Sequence, residues 1–376
     1  MALGRVDVFP VRRRTRRLLV LAIVLALLTP VGVSLERSLT YPGSASWKLR
    51  LVEWTREHGG ASLVNTVEDW YYTRQRPGSG PPPAGSMVPL ASPAASRNVS
   101  GVGRPAAIAP LVTPPADGEG AWQALGRTGR GRRPYVWATW FRPDPASTSV
   151  TVAAAEIAQD GVRTRLIAGT RDPGGVWPEG ARVPPGDRSH LVAAFNAGFM
   201  FGDTKGGFAA DGRTSKPLVD GLATASIDAR GRLAVERWTS GPSLPPGLIA
   251  ARQNLDLIVE GGRPVPGLHE SSAGRWGTDR NQLQYTWRSA LGTTADGRLL
   301  YVAGDHLDLT DIAVALAHAG AVVGMQLDIH AALVTFNAFS PGPRGPTGEK
   351  LVPAMSRPAD RYLAADQRDF FAVLAR

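Results

Sequence analysis

The sequence predicts an α+β fold, in which a mainly antiparallel or mixed sheet carries packed helices. Short alternating apolar runs follow one another from Val136 onward and meet at turn signals, as strands do in hairpins. Residues 311–319 instead show apolar side chains at helical spacing. Because this helix interrupts a series of strand-like runs, the pattern favours an α+β fold over a doubly wound sheet, which would alternate strands and helices throughout.

Each of these elements has its own turn or cap. Glycine accepts positive φ without steric cost, so Asp-Gly and related pairs favour tight turns between strands. The helix has Asp308 or Thr310 as N-cap candidates and Gly320 as its stop, and a further strand begins at Ala321. Glycine-containing turns separate three predicted strand pairs: 150–157 and 162–167, 225–228 and 233–238, and 289–293 and 299–303.

The N-terminal residues have the pattern of a membrane anchor. Residues 12–17 hold five arginines, and the eighteen residues 18–35 contain no charged side chain. A helix of that length spans about 27 Å, close to the hydrocarbon thickness of a bilayer. We therefore expect a cytoplasmic basic tail at 1–17 and a retained single-pass anchor of the cell membrane at 18–35, with the globular part extracytoplasmic. A cleaved signal peptide is the alternative, although no A-x-A type site follows the apolar run.

The remaining chain divides by composition into three parts. Two short helical patterns separated by Gly59-Gly60 predict a helical stalk at 36–76. Residues 77–115 hold ten prolines in 39 positions, with Gly, Ala and Ser in most of the others, which predicts an extended and mobile spacer. Residues 116–376 form the predicted globular domain.

Charge and motif content exclude several classes of function. Half of the net charge of +10 comes from the first 17 residues and the other arginines are scattered, so we expect no nucleic-acid partner. The absence of cysteine excludes disulfides, thiolate zinc sites and cysteine nucleophiles. The sequence has no P-loop, no G-x-G-x-x-G after a strand, no G-x-S-x-G and no H-E-x-x-H, and we expect no cofactor.

Three apolar, strand-like segments each contain a polar residue that would be costly to bury without partners. They are residues 195–201 (FNAGFMF), 288–292 (RSALG) and 325–330 (MQLDIH). In the third, strand alternation places Asp328 and His330 on one face, about 6 to 7 Å apart at Cα. This pair could divide acid and base roles or ligate a metal, whereas the structural alternative is a turn-capping Asp and a strand-end His.

In this order, the three segments resemble the phosphodiester glycosidase family, over roughly residues 184–339. Asn196, Arg288 and Asp328 match polar residues of the family's motifs. The resemblance implies that Asn196 contacts a sugar hydroxyl or phosphate, that Arg288 binds the phosphate diester, and that Asp328 carries the chemistry. A structural Asn and a structural Arg salt bridge are the competing interpretations.

The third segment departs from the family pattern, in which Leu-Asp is followed by three glycines and a serine. Here residues 329–332 read IHAA, so His330 would have to supply a contact that the glycine amides otherwise make, or the substrate or reaction has changed. Glycine-rich connections also follow Asn196, as in the family, and they add Gly207 and Asp211 as substrate-binding candidates.

The resulting expectation is a membrane-anchored extracytoplasmic hydrolase that cleaves sugar-1-phosphodiester linkages of a cell-surface glycoconjugate. Its partners would be a phosphate-linked glycan and, through residues 18–35, the membrane. The alternative is a non-catalytic envelope protein that binds phosphate-linked glycopolymer in the same cleft. A third hypothesis is a metal-dependent hydrolase that uses Asp328 and His330 with Asp305 or His306, both of which are weak metal-ligand candidates.

Overall fold

The structure is a computed structural model that describes residues 13–41, 43–89, 101–270, 274–277 and 281–376. The chain forms two compact units, Met1–Val64 and Asn65–Arg376. Residues 1–12 of the predicted cytoplasmic tail and residues 90–100 of the predicted spacer lie outside the described residues.

The first unit is helical. Its helices are α1 (Arg13–Thr40), α2 (Trp47–Thr55) and the beginning of α3 (Ala61–Tyr72), with a π-helical turn at Arg56–Gly60 between the last two. Gly59 has φ +88°, which breaks the helical path between α2 and α3. By length and composition α1 could cross a membrane, and it contains the predicted anchor 18–35.

The second unit is built on three antiparallel sheets. The first sheet has the strand order β1-β2-β3-β14-β13-β15-β11-β12, the second β7-β6-β10-β8-β9 and the third β17-β16-β5-β18-β4. The strands are β1 (Gln123–Thr128), β2 (Pro134–Phe141), β3 (Val152–Ile157), β4 (Val162–Ile167), β5 (Leu191–Asn196), β6 (Phe208–Ala210), β7 (Arg213–Lys216), β8 (Ala223–Asp228), β9 (Leu233–Arg237), β10 (Leu248–Gln253), β11 (Leu257–Glu260), β12 (Arg263–Pro264), β13 (Thr286–Thr294), β14 (Leu299–Leu307), β15 (Ala321–Ile329), β16 (Phe336–Ser340), β17 (Thr347–Lys350) and β18 (Phe370–Ala375).

The main core lies where side chains from all three sheets meet. Tyr301 and Leu327 of the first sheet share one buried apolar cluster with Ala225 of the second and Phe195 of the third. The other face of the first sheet is covered by helix α4 (Leu309–His318), which begins with a reciprocal capping box between Asp308 and Asp311. The α+β class with mainly antiparallel sheets is therefore confirmed.

Two of the three expected strand pairs are confirmed, because β8 pairs with β9 and β13 pairs with β14. The third differs, since β3 joins the first sheet and β4 the third. Their connection forms a short 3₁₀ turn whose Gln159 side chain donates to the backbone oxygens of Leu233 (2.8 Å) and Gly297 (2.9 Å). These tertiary contacts hold the turn in a conformation that leads from the first sheet to the third, so β3 and β4 do not form a hairpin.

The described parts of the predicted spacer belong to the second unit and are packed against its other residues. Val88 and Val112 are buried, and the backbone N–H of Gly80 donates to Thr148 Oγ1 at 2.9 Å. Trp122 Nε1 donates to the backbone oxygen of Ala106 at 2.9 Å. This packing differs from the expectation of a mobile spacer. An extended segment can bury single apolar side chains and form hydrogen bonds through its backbone, and both attach it to the rest of the unit.

A bulge at the end of β15 determines how the candidate site residues are presented. Ala290 pairs with Gln326, whereas Arg288 pairs with Ile329, so β15 contains one residue more than β13 between these pairs. Regular alternation therefore stops before Asp328. Met325 and Leu327 still enter the main core, but Ile329 packs in a separate small cluster with Phe199.

Candidate active site

Asp328 lies at the end of β15 in a buried, charged environment. Its Oδ2 accepts a hydrogen bond from Nη2 of Arg368 at 2.9 Å, and its Oδ1 accepts one from the backbone N–H of Ile329 at 3.2 Å. The side chain is only 5% exposed. Burial raises the pKa of Asp328 to about 7, even though Arg368 acts in the opposite direction. A carboxyl group with such a pKa can exchange a proton near neutral pH.

A second carboxylate, Asp369, completes the buried charges around Asp328. Its Oδ2 pairs with Nε of Arg252 at 2.6 Å, and both side chains are buried. Arg368 also pairs with Asp172, at 3.2 Å from Nε to Oδ2. Burial raises the pKa of Asp369, and its charge in turn raises the pKa of Asp328. We call these five residues, Asp172, Arg252, Asp328, Arg368 and Asp369, the charged cluster.

The loop after β5 lies against the charged cluster. Arg368 Nη2 donates to the backbone oxygen of Gly198 at 3.0 Å, and Arg252 donates to that of Phe199. A Cβ on Gly198 would lie 3.2 Å from Cζ of Arg252, closer than an ordinary contact. The small residue at 198 thus lets the backbone approach the two guanidinium groups.

Lys216 and Phe201 form the more exposed side of this region. Lys216 Nζ donates to the backbone oxygens of Phe201 (3.2 Å) and Thr204 (2.8 Å). Arg252 Cζ lies 4.2 Å from the centre of the Phe201 ring. Burial, together with the nearby Arg252, lowers the pKa of Lys216, whereas Asp172 opposes this. The site therefore combines a half-buried ammonium group with the carboxylates and guanidiniums beneath it.

Asn196 is buried at the end of β5 and is hydrogen-bonded on both sides of its amide. Oδ1 accepts from the hydroxyl of Tyr301 at 2.9 Å and from the backbone N–H of Thr335 at 3.0 Å. Nδ2 donates to Ser289 Oγ at 3.0 Å, and Ser289 in turn donates to the backbone oxygen of Asp328 at 2.8 Å. Asn196 is thus linked to Asp328 through one hydroxyl group.

Arg288 is fully buried, on the face of the first sheet that α4 covers. It donates to the backbone oxygens of Leu307 (2.8 Å) and Gln284 (3.0 Å) and to Gln326 Oε1 (2.9 Å). Burial lowers the pKa of Arg288 to about 10, and Asp308 at the start of α4 opposes this. The described hydrogen bonds of Arg288 thus connect it with β14, with β15 and with the residues before β13, and not with the charged cluster.

Gly207 and Asp211 occupy different surroundings. A Cβ on Gly207 would lie 2.3 Å from the backbone oxygen of Pro217, so the backbone passes too closely for a side chain. Asp211 is exposed in the turn between β6 and β7, with φ +52°. Burial is the largest cause that raises the pKa of Glu179, and the negative charge of Asp211 raises it as well.

His330 follows the last residue of β15 and has φ +72°. This left-handed conformation is more often adopted by glycine than by a residue with a side chain. Thr286 Oγ1 lies 3.1 Å from His330 Nδ1, the ring of Tyr72 stacks on the imidazole at 4.8 Å between centroids, and Glu68 lies 3.7 Å from Nε2. Because β15 has already ended, the alternation expected to carry Asp328 and His330 together does not extend to His330.

Asp305 and His306 form a pair near the end of β14. The carboxylate of Asp305 lies 3.3 Å from His306 Nδ1, and this hydrogen bond raises the pKa of His306. Over the described ranges, no group of three or more His, Cys, Asp or Glu side chains could hold a metal ion. The donor set therefore gives no support to the metal-dependent hypothesis.

Four residues of the charged cluster, Asp172, Arg252, Arg368 and Asp369, were not predicted from the sequence. A signal exists for the last three, because Arg252 ends a strand-like run (LIAARQ) and Arg368-Asp369 directly precedes another (FFAVLA). Charges beside apolar strands are buried only with partners. What the sequence does not provide is the pairing, since 117 residues separate Arg252 from Asp369.

Comparison with known proteins agrees with the motifs. The catalytic domain of zebrafish N-acetylglucosamine-1-phosphodiester alpha-N-acetylglucosaminidase, auto-inhibited by its pro-peptide, is 15% identical and aligns over 68% of this chain and 88% of its own, with a TM-score of 0.43. A hypothetical protein from Synechocystis is 12% identical and aligns over 64% of this chain and 62% of its own, with a TM-score of 0.39. No curated protein matches the chain. The sequence model of the phosphodiester glycosidase family matches residues 189–328, the segment that contains Asn196, Arg288 and Asp328, and the expected resemblance to this family is thereby confirmed.

Proposed function

We propose that the protein is a membrane-anchored hydrolase that cleaves the bond between an anomeric sugar carbon and a phosphodiester oxygen. The observation that carries this proposal is Asp328, a buried carboxyl group with a pKa of about 7 beside the guanidinium of Arg368. Perturbed carboxyl groups next to specific charged partners are typical of catalytic sites. The match of residues 189–328 to phosphodiester glycosidases agrees with this chemistry.

In the proposed reaction, Asp328 acts in its ionised form. The phosphate is a good leaving group and departs with the bonding electron pair without needing a proton, so the difficult step is attack at the anomeric carbon. Asp328 takes a proton from water as the new carbon–oxygen bond forms, and the anomeric carbon–phosphate oxygen bond breaks. The products are the free sugar and a phosphate monoester. Direct attack by the carboxylate would give a covalent intermediate that water then hydrolyses.

The cationic groups bind and stabilise the phosphate in this proposal. Lys216 is a half-buried cation close to Arg252 and Asp172, and its ammonium group can approach a phosphate oxygen. Arg252 and Arg368 are already paired with Asp369 and Asp328, so we assign them to holding the carboxylates in place. Their positive charge also stabilises negative charge that develops near Asp328.

Asn196 and Arg288 support the site indirectly in this proposal. The amide of Asn196 fixes Ser289, which holds the backbone of Asp328. Arg288 holds Gln326, two residues before Asp328, and joins it to the approach of α4. In this proposal both side chains hold the end of β15 in position. Lys216 and the loop after β5 then make the substrate contacts that the family motifs led us to expect from Asn196 and Arg288.

Turnover of a panel of sugar-1-phosphodiesters by the full chain in detergent tests the function. We expect release of free sugar by the parent, and loss of most turnover in Asp328→Asn with ligand binding retained. Asp296→Asn is the matched control, because Asp296 is an exposed turn residue whose contacts are with Thr294 and Arg298. Binding without turnover in the parent would instead favour a glycopolymer-binding protein, and equal turnover of the parent and Asp328→Asn would reject Asp328 as the catalytic group.

The topology is tested separately. The exposed apolar side chains of α1 and the arginines that precede its apolar part support an anchor with the globular part outside the cell membrane. Protease added to intact spheroplasts should then digest the second unit. Protection until the membrane is broken would place the globular part in the cytoplasm.

A further inference from the structure

A cavity of about 460 Å³ lies at the end of the first sheet where β13 begins and β14 ends. Its walls come from Trp287, from Asp305 and His306, from residues 149–151 just before β3, from Ala354 and from parts of the segment 74–86. Sites for small ligands commonly have volumes of about 300 to 1,000 Å³. The cavity is therefore large enough for a monosaccharide with an attached group.

A bulge in β14 directs His306 to this cavity. Arg288 pairs with Gly304, and Thr286 pairs with Leu307. Between these two pairs β14 contains two residues, Asp305 and His306, whereas β13 contains only Trp287. His306 has φ +58°, a conformation that a residue with a side chain rarely adopts. Bulges and strained residues of this kind are concentrated where a side chain must be re-aimed for function.

Asp305 holds the imidazole of His306 in a defined orientation. One carboxylate oxygen accepts from the backbone N–H of His306 at 2.7 Å, and the other lies 3.3 Å from Nδ1. The side chain of His306 remains 46% exposed. With Nδ1 engaged by the carboxylate, Nε2 is the ring nitrogen available to a ligand, and the carboxylate favours the protonated imidazolium.

The cavity has an excess of positive charge. Arg74 and Arg76 line it, and both are exposed. Arg74 is held in place, because its guanidinium stacks over Trp70 at 4.8 Å and donates to the backbone oxygen of the same residue. Against these two arginines, Asp305 is the one acidic residue among the described lining side chains. Such an arrangement favours an anionic ligand.

The cavity is adjacent to the candidate active site. The backbone oxygen of Trp287 accepts the N–H of His330 at 2.8 Å, and Arg288 is paired with Ile329 on one side and with Gly304 on the other. Two strand spacings of about 4.8 Å place the end of β15 and the bulge of β14 about 10 Å apart. One elongated ligand could therefore occupy both.

We propose that this cavity binds a phosphate group carried by a saccharide, as a second anionic group of the same glycan whose phosphodiester lies at Asp328. His306 and the two arginines bind the phosphate, and Trp287 packs against the apolar side of the sugar. That both groups belong to one substrate rests on the proposed function, whereas binding of a phosphorylated saccharide in the cavity does not.

The test is calorimetric titration of the full chain in detergent with glucose 6-phosphate, glucose and inorganic phosphate. We expect glucose 6-phosphate to bind the parent more tightly than either control ligand does. His306→Gln and Arg76→Gln should each weaken this binding tenfold or more. His269→Gln is the matched control, because His269 is 73% exposed and its described ion pair is with Glu270, and it should leave the binding unchanged. Asp328→Asn should also leave it unchanged.

Three results would overturn the proposal. They are no binding of glucose 6-phosphate by the parent, equal binding by the parent and His306→Gln, and loss of binding in Asp328→Asn but not in His306→Gln, which would place the ligand at the charged cluster. Inorganic phosphate binding as tightly as glucose 6-phosphate would overturn the saccharide assignment. Failure of the proposed function can be distinguished from failure of this proposal. If only the proposed function is wrong, the parent shows no turnover of sugar-1-phosphodiesters but still binds glucose 6-phosphate in this titration.

Discussion

Asp328 and Arg368 form a buried ion pair, 2.9 Å between Oδ2 and Nη2, that joins the end of β15 to the residues just before β18. Both side chains are only 5% exposed. Burial nevertheless raises the pKa of Asp328 to about 7, and the negative charge of Asp369 acts in the same direction, whereas the guanidinium of Arg368 opposes both. The first sheet thus supplies the buried carboxyl group, and the segment leading into the third sheet supplies two of the charges that act on its pKa.

The pH dependence of turnover should report the ionisation of Asp328. If Asp328 acts as a carboxylate, kcat should rise with pH and level off above about 7, where the group is ionised. Below that midpoint we expect a decrease of about tenfold per pH unit. A pH–rate measurement on the preferred phosphodiester tests this, and a rate that falls as the pH passes 7 would assign Asp328 the opposite role of proton donor.

Arg368→Gln should move the pH–rate midpoint upward. The positive charge of Arg368 lowers the pKa of Asp328, so its removal lets burial raise that pKa further above 7. A purely structural role for Arg368 would reduce activity at all pH values without shifting the midpoint. Arg237→Gln is the control, since Arg237 is an exposed residue that pairs with Glu260, and its profile should coincide with that of the parent.

Gly207→Ala should destabilise the second unit. The added Cβ would lie 2.3 Å from the backbone oxygen of Pro217, which requires the backbone to move, and we expect a loss of at least about 1 to 3 kcal/mol. Gly202→Ala is the matched control, because no atom lies within 4 Å of a Cβ built at Gly202. Urea denaturation of the two variants measures the difference. If they are equally stable, the close approach at Gly207 does not constrain the fold.

Local patterns in the sequence were sufficient for some elements. The cap of α4 and the β13–β14 turn lie within a few residues of the groups that they organise, so Asp308 and the Asp296-Gly297 pair identify them. The position of Asp328 at the end of a buried strand could also be predicted locally, from the apolar run that precedes it.

Other parts of the site depend on contacts that are remote in sequence. The bulge in β15 adds a residue after Gln326 and the strand ends at Ile329, so strand alternation is not sufficient to predict the relation between Asp328 and His330. Arg368 follows Asp328 by 40 residues, so no spacing rule connects them. For Arg288, the motif identifies the residue but does not predict its surroundings. Its hydrogen-bond partners, the backbone oxygens of Leu307 and Gln284, become its neighbours only in the folded chain.

Asp328→Asn should also change the dependence of stability on pH. An aspartate in the unfolded chain has a pKa of about 3.9, whereas the pKa of Asp328 in the folded chain is about 7. Between these values the folded chain holds a proton that the unfolded chain releases, so this group makes the free energy of unfolding fall as pH rises from about 4 to about 7, with no further change above.

The asparagine variant cannot ionise, and its free energy of unfolding should lack this contribution. The difference in stability, variant minus parent, should therefore increase between pH 4 and pH 7 and become constant above pH 7. Denaturant titrations of both proteins at pH 4.5, 6 and 8 measure it, with Asp296→Asn as the control. The hydrogen bond from Thr294 is the largest cause lowering the pKa of Asp296, so this group changes its ionisation only below about pH 4, and its variant should differ from the parent by a constant amount over this range. A constant difference between Asp328→Asn and the parent at all three pH values would mean that Asp328 is ionised throughout, and the argument for a neutral-range catalytic carboxylate would then fail.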